Sequence, residues 1–64
     1  MTTGIMIRSL REMQEISQSD LARTTGLSQG LISNLEHDRV PLGLSRAKTI
    51  ARALHTHPAV LLFP

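Results

Sequence analysis

Gln18-Ser-Asp-Leu-Ala-Arg-Thr-Thr-Gly-Leu-Ser-Gln-Gly-Leu-Ile-Ser-Asn-Leu-Glu36 is the stretch that decides the fold. It reads as two short helices joined by a tight turn. Ser17-Gln18-Ser19-Asp20 has the form of a capping box, in which the serine hydroxyl accepts from the amide three residues on and the carboxylate reaches back. The first helix therefore runs from about Gln18 to Thr25. Gly26 ends it, because glycine enters the left-handed region at little cost. Ser28 is the N-cap of the second helix, which reaches about His37. Leu21, Leu27, Ile32 and Leu35 are its apolar anchors, and Ala22 is small where the two helices must cross closely. This is helix-turn-helix geometry.

Three more helices follow from the spacing on either side. Ile7, Leu10 and Met13 recur at helical intervals over about Gly4–Gln14, with Thr2 or Thr3 as cap. Arg39 to Gly43, with Pro41, is a loop. Ala47, Ile50, Ala51 and Leu54 have core spacing over about Leu44–Leu54. His55-Thr56 makes a turn, and Pro58 suits the first position of a last helix, Pro58 to Leu62. The expected molecule is all-α, a single five-helix domain over residues 1–64 whose helices 2 and 3 form the motif.

Composition removes several classes of function. There is no cysteine, so disulfides and thiolate metal sites are excluded. Phe63 is the only aromatic residue, so the chain cannot build the stacking platform that single-stranded nucleic acid requires. His55 and His57 sit in a turn without a nearby carboxylate, and His37 belongs to another element; no metal and no cofactor are expected. No nucleophile–base arrangement, phosphate loop or carboxylate pair can be placed, so the chain is not expected to be an enzyme. With no signal-like leader and no apolar run of membrane length, it is expected to be soluble and cytoplasmic, with no membrane partner.

The formal net charge of +2 hides an asymmetry. All the acids, Glu12, Glu15, Asp20, Glu36 and Asp38, precede Arg39. Arg39, Arg46, Lys48 and Arg52 then follow without a single acid. Such a bias suits a polyanionic partner, and it equally suits a solvated helix face.

Gly4-Ile-Met-Ile-Arg-Ser-Leu-Arg11, Ile16-Ser-Gln-Ser-Asp-Leu-Ala22, Thr25-Gly-Leu-Ser28, Ile32-Ser-Asn-Leu-Glu36 and Ala51-Arg-Ala-Leu54 together resemble the Cro/C1-type (XRE-like, lambda-repressor-like) helix-turn-helix DNA-binding family. The resemblance runs from Gly4 to about Leu62, and it implies a sequence-specific transcription regulator of double-stranded DNA. A repressor that binds a palindromic operator as a homodimer, with helix 3 in the major groove, is the expectation. Residue by residue, the resemblance assigns Ser28, Gln29, Gly30, Ser33 and Asn34 to base edges. It assigns Gln18, Arg39 and the backbone at Leu44 and Ser45 to phosphates, with Gln18 also bracing helix 3. Arg46, the base of helix 4 nearest the loop, is added as a phosphate contact. Arg11 and Glu36 match a buried ion pair. Outside such a motif, Gln29 and Asn34 would be ordinary solvated side chains; inside it, the Gln29 amide suits adenine N6 and N7.

The chain also departs from the family. Gly30 stands where a side chain often reads a base, and Leu31 is apolar where many relatives are polar; it can meet a thymine methyl. Asp38 and His55 stand where a helix-ending glycine is usual, and the loop proline is shifted by one position. Val60, Leu62 and Phe63 are the expected dimer surface, with Leu61 completing the core. A rival reading makes the same fold a protein-interaction module, such as a toxin-neutralising partner, docking through Ile5, Met6, Val60, Leu62 and Phe63 with little DNA binding.

Overall fold

The computed structural model describes residues 1–64 and contains five helices: α1 (Thr3–Met13), α2 (Gln18–Thr25), α3 (Gln29–Glu36), α4 (Leu44–Ala53) and α5 (Pro58–Leu62). Capping explains most of the starts. The side chains of Thr2, Ser17 and Ser28 accept from the amides of Ile5, Asp20 and Leu31 respectively. His57 Nδ1 accepts from Ala59 ahead of α5. Gly43, at φ +76°, precedes α4 and supplies no side-chain cap.

The helix ends share one device. After α1, α3 and α4 the next-but-one residue is left-handed, at Glu15 (φ 57°), Asp38 (φ 56°) and His55 (φ 57°). The amides of Ile16, Arg39 and Thr56 then reach back to the carbonyls of Arg11, Asn34 and Ala51 at 3.0, 2.9 and 2.9 Å. These are Schellman closures made without glycine. Only α2 ends on a glycine, Gly26 at φ 75°.

Ile7, Leu21, Ile32, Leu35, Ala47, Ile50, Ala51, Leu54 and Leu61 are almost fully buried. Each of the large ones contributes about 1.5–3 kcal/mol by leaving water. α3 packs on α1 and α2, α4 packs on α2 and α5, and α5 closes back on α1. Thr3 Oγ1 donates to the Leu61 carbonyl at 2.7 Å, so the two ends of the chain are tied together.

One expectation changes, and two further residues are found against the core or in it. Met13 continues the three-residue spacing of Ile7 and Leu10 but is 77% exposed, because six residues on it points about 120° around α1 from Ile7. Leu31 is half-buried and packs partly against the core. Leu42, within the loop, is buried and belongs to the core.

Candidate nucleic-acid interface

The turn between α2 and α3 is braced locally. Thr25 Oγ1 donates to the Leu21 carbonyl at 2.7 Å and accepts from the Leu27 amide at 3.3 Å, which carries the chain around Gly26. α3 then buries Ile32, Leu35 and Glu36. Its other faces divide along their length. Ser28, Gln29 and Gly30 are exposed at the amino end, while Ser33 and Asn34, a turn later, are half-buried. A Cβ placed on Gly30 would meet nothing within 4 Å, so this glycine leaves open space at the tip of the helix. That opening lets another backbone come close, as base edges and phosphates do in a groove.

Behind this face stands a charged mount. Arg11 Nε and Nη2 donate to Glu36 Oε2 and Oε1 at 2.7 and 3.1 Å, a bidentate pair. The Glu36 side chain is 1% exposed and that of Arg11 12%. Arg11 Nη1 also donates to the Ile16 carbonyl at 2.8 Å. Gln18 Nε2 donates to Glu36 Oε1 at 3.0 Å, so the first residue of α2 grips the last residue of α3. Burial pushes the Glu36 carboxyl up, but the hydrogen bonds from Arg11 and Gln18 outweigh it and hold the group below its ordinary value. The guanidinium fork fixes the angle between α1 and α3, because its two bonds are coplanar.

Two close approaches at α1 have no counterpart in the sequence reading. Gly4 lies so near the end of α3 that a Cβ there would stand 2.4 Å from the Glu36 carbonyl oxygen and 2.6 Å from that of Leu35. Its amide donates to Asp38 Oδ1 at 2.9 Å. The Thr2 hydroxyl and this amide hold the Asp38 carboxyl below the usual carboxylate range. Asp38 thus accepts left-handed geometry and caps α1 with the same side chain. Only a glycine at the fourth position and an acid after a helix end hint at this.

The expected phosphate contacts lie on several elements. Gln18, with one amide N–H given to Glu36, keeps a second. Arg39, in the loop, makes a long 3.4 Å contact to Asn34 Oδ1. Arg46 Nη1 donates to the Pro41 carbonyl at 3.2 Å and is half-buried. Leu44 and Ser45 are exposed at the uncapped start of α4, so their amides have no side-chain acceptor. Three of the five carboxylates, Glu12, Glu36 and Asp20, pair with Arg8, Arg11 and Arg23, and none of the four bases after Asp38 joins an ion pair. One contact at the tip lies outside the sequence reading: Ser19 Oγ donates to Gln29 Oε1 at 3.2 Å. No group of three His, Asp or Glu residues is placed to hold a metal ion.

A helix-turn-helix family model matches residues 7–61. The chain belongs to the helix-turn-helix family, in its XRE (Cro/C1-type) branch. Among solved structures, this regulator is similar to the restriction-modification controller protein C.AhdI from Aeromonas hydrophila. The two are 29% identical over 92% of this chain and 89% of that one, with a TM-score of 0.88. No curated protein matches the chain. The helix-turn-helix protein is thus a DNA-binding transcription regulator with a lambda-repressor-like five-helix fold; family and fold are those of a regulator and not of an enzyme. None of its helices is long and apolar enough to cross a membrane.

Proposed function

We propose that this chain is a repressor that binds a palindromic operator as a homodimer, laying α3 in the major groove. One observation carries the reading. The amino end of α3 is the open, polar end, and the free amides at the start of α4 and the unpaired Arg39 supply the anion contacts it needs. Ser28, Gln29 and Gly30 approach base edges, with Ser33 and Asn34 farther along the groove. Gln18, Arg39, Arg46 and the backbone at Leu44 and Ser45 hold phosphates. A single α3 reads only a few base pairs, too little for a genome, and pairing about a twofold axis doubles the site.

The dimer surface we propose is the end of α5 and the tail after it. Leu61 is fully buried, whereas Val60 and Leu62 are only partly covered and Phe63 is 82% exposed. An exposed phenyl ring beside two partly covered aliphatic residues suits an interface. The same residues, with Ile5 at 48% exposure, support the second reading, a module that docks on a partner protein.

A gel shift on a duplex pool across salt concentrations separates the two. Phosphate-driven binding weakens linearly in log–log form, with a slope near the number of phosphates neutralised. A chain that shifts no duplex at low salt is an interaction module.

A further inference from the structure

The structure points to Ser19, a residue outside the expected contact set, as the residue that orients the amide of Gln29: we propose that it turns Gln29 into a hydrogen-bond donor and makes it a reader of guanine. This inference rests on the proposed placement of α3 in the major groove.

Gln29 is the first residue of α3 and is exposed, so nothing buried restrains its side chain. Gln18, the neighbouring glutamine on α2, donates to Glu36 at 3.0 Å and makes no hydrogen bond to Gln29. Ser19, one residue on, is the polar side chain that meets Gln29, donating from Oγ to Oε1 at 3.2 Å. With its carbonyl end drawn back toward α2, the amide presents Nε2 and its two N–H groups outward.

That orientation discriminates between purines. Guanine offers two acceptors in the major groove, O6 and N7. Adenine offers N7 beside an N6 amino group, which is itself a donor. A glutamine free to place both ends of its amide pairs well with adenine. A glutamine held by its oxygen meets adenine N6 donor to donor and matches the guanine edge. Restraining one flexible side chain beforehand also lowers the entropy lost on binding.

The test measures affinity for a selected operator and for its base substitutions, using the wild-type chain, Ser19→Ala, Ser19→Thr, Gln29→Ala and the pair Ser19→Ala/Gln29→Lys. The base pair read by Gln29 is the one whose preference vanishes in Gln29→Ala. At that pair the wild type should favour guanine over adenine by about 10-fold. Ser19→Ala should move that ratio towards parity while the other positions keep their preferences, a pattern that mere loss of stability does not produce. Ser19→Thr, which keeps the hydroxyl, should restore the ratio. Lysine is a donor only, so Ser19→Ala/Gln29→Lys should prefer guanine without any help from residue 19. Ser19 is exposed and alanine favours helix, so Ser19→Ala keeps its fold, which circular dichroism checks. A wild-type preference for adenine at that pair, or an unchanged ratio in Ser19→Ala, overturns the role of Ser19 while leaving Gln29 as a reader. A Gln29→Ala variant with every base preference intact overturns the base-reading assignment and this inference with it.

Discussion

Replacing Arg11 with alanine removes three hydrogen bonds at once, two to Glu36 at 2.7 and 3.1 Å and one to the Ile16 carbonyl at 2.8 Å. It leaves Glu36, 1% exposed at its side chain, with Gln18 as its remaining donor. A buried carboxylate stripped of its cation typically costs about 3–5 kcal/mol. A domain of 64 residues is stable by about 3–10 kcal/mol at ordinary per-residue values, so the variant loses from about a third of that margin to all of it. Arg11→Lys keeps a charge but loses the fork, and its expected cost is smaller, about 1.5–3 kcal/mol. Urea unfolding followed by circular dichroism measures both, and a cycle through Arg11→Ala, Glu36→Ala and the double variant isolates the coupling. Base preferences on DNA should stay as they are, since α3 loses its mount and not its reading face. A coupling of about 1 kcal/mol or less, the value of an exposed pair, would refute the reasoning.

Gly4→Ala drives a methyl group into the Glu36 and Leu35 carbonyls, which are backbone and cannot swing aside; a loss of at least about 1–3 kcal/mol in the same urea assay is expected. The left-handed helix ends make a contrasting pair. His55→Gly should stabilise by about 1 kcal/mol by relieving positive φ, whereas Asp38→Gly should gain less or lose, because it removes the acceptor of the Gly4 amide; thermal melts rank the two. Because the Glu36 carboxyl is held below its ordinary 4.5, the unfolded chain takes up the proton first; the stability it contributes is complete above that value and is lost as the pH falls through the lower folded one. Urea midpoints from pH 7 downward should fall more steeply for the wild type than for Glu36→Gln. Phe63→Asp should leave the fold intact and weaken binding to a palindromic site, with sedimentation showing less dimer on that site.

Local devices are the part of this fold that a linear reading reaches. Ser17, Gly26 and Ser28 act within three or four residues of themselves, and their caps and turn stand where the residue types place them. α2 and α5 have the expected bounds, α1 and α3 differ by a residue at each end, and α4 stops one residue early. What escapes the reading depends on a distant partner. Gly4 looks like any small residue until α3 lies against it, and Asp38 is a cap for a helix more than thirty residues earlier. Glu15 carries no sign of its left-handed geometry, because the closure is imposed by Ile16 reaching back to Arg11. Met13 has the spacing of a core residue and lies on a face of α1 open to solvent. The same limit applies at the reading tip, where Gln18 bonds Glu36 at the far end of α3 and Ser19 is the residue of α2 that meets Gln29.

The most direct test of operator recognition by α3 is selection of bound sequences from a pool of random duplexes by the purified chain, repeated with Gln29→Ala. The expected result is a palindrome whose half-sites lie about one helical turn apart, with Gln29→Ala losing about 1–3 kcal/mol of discrimination at one base pair of each half-site and keeping the rest. A pool that stays random after repeated rounds, or an enriched site that Gln29→Ala recovers unchanged, would contradict it.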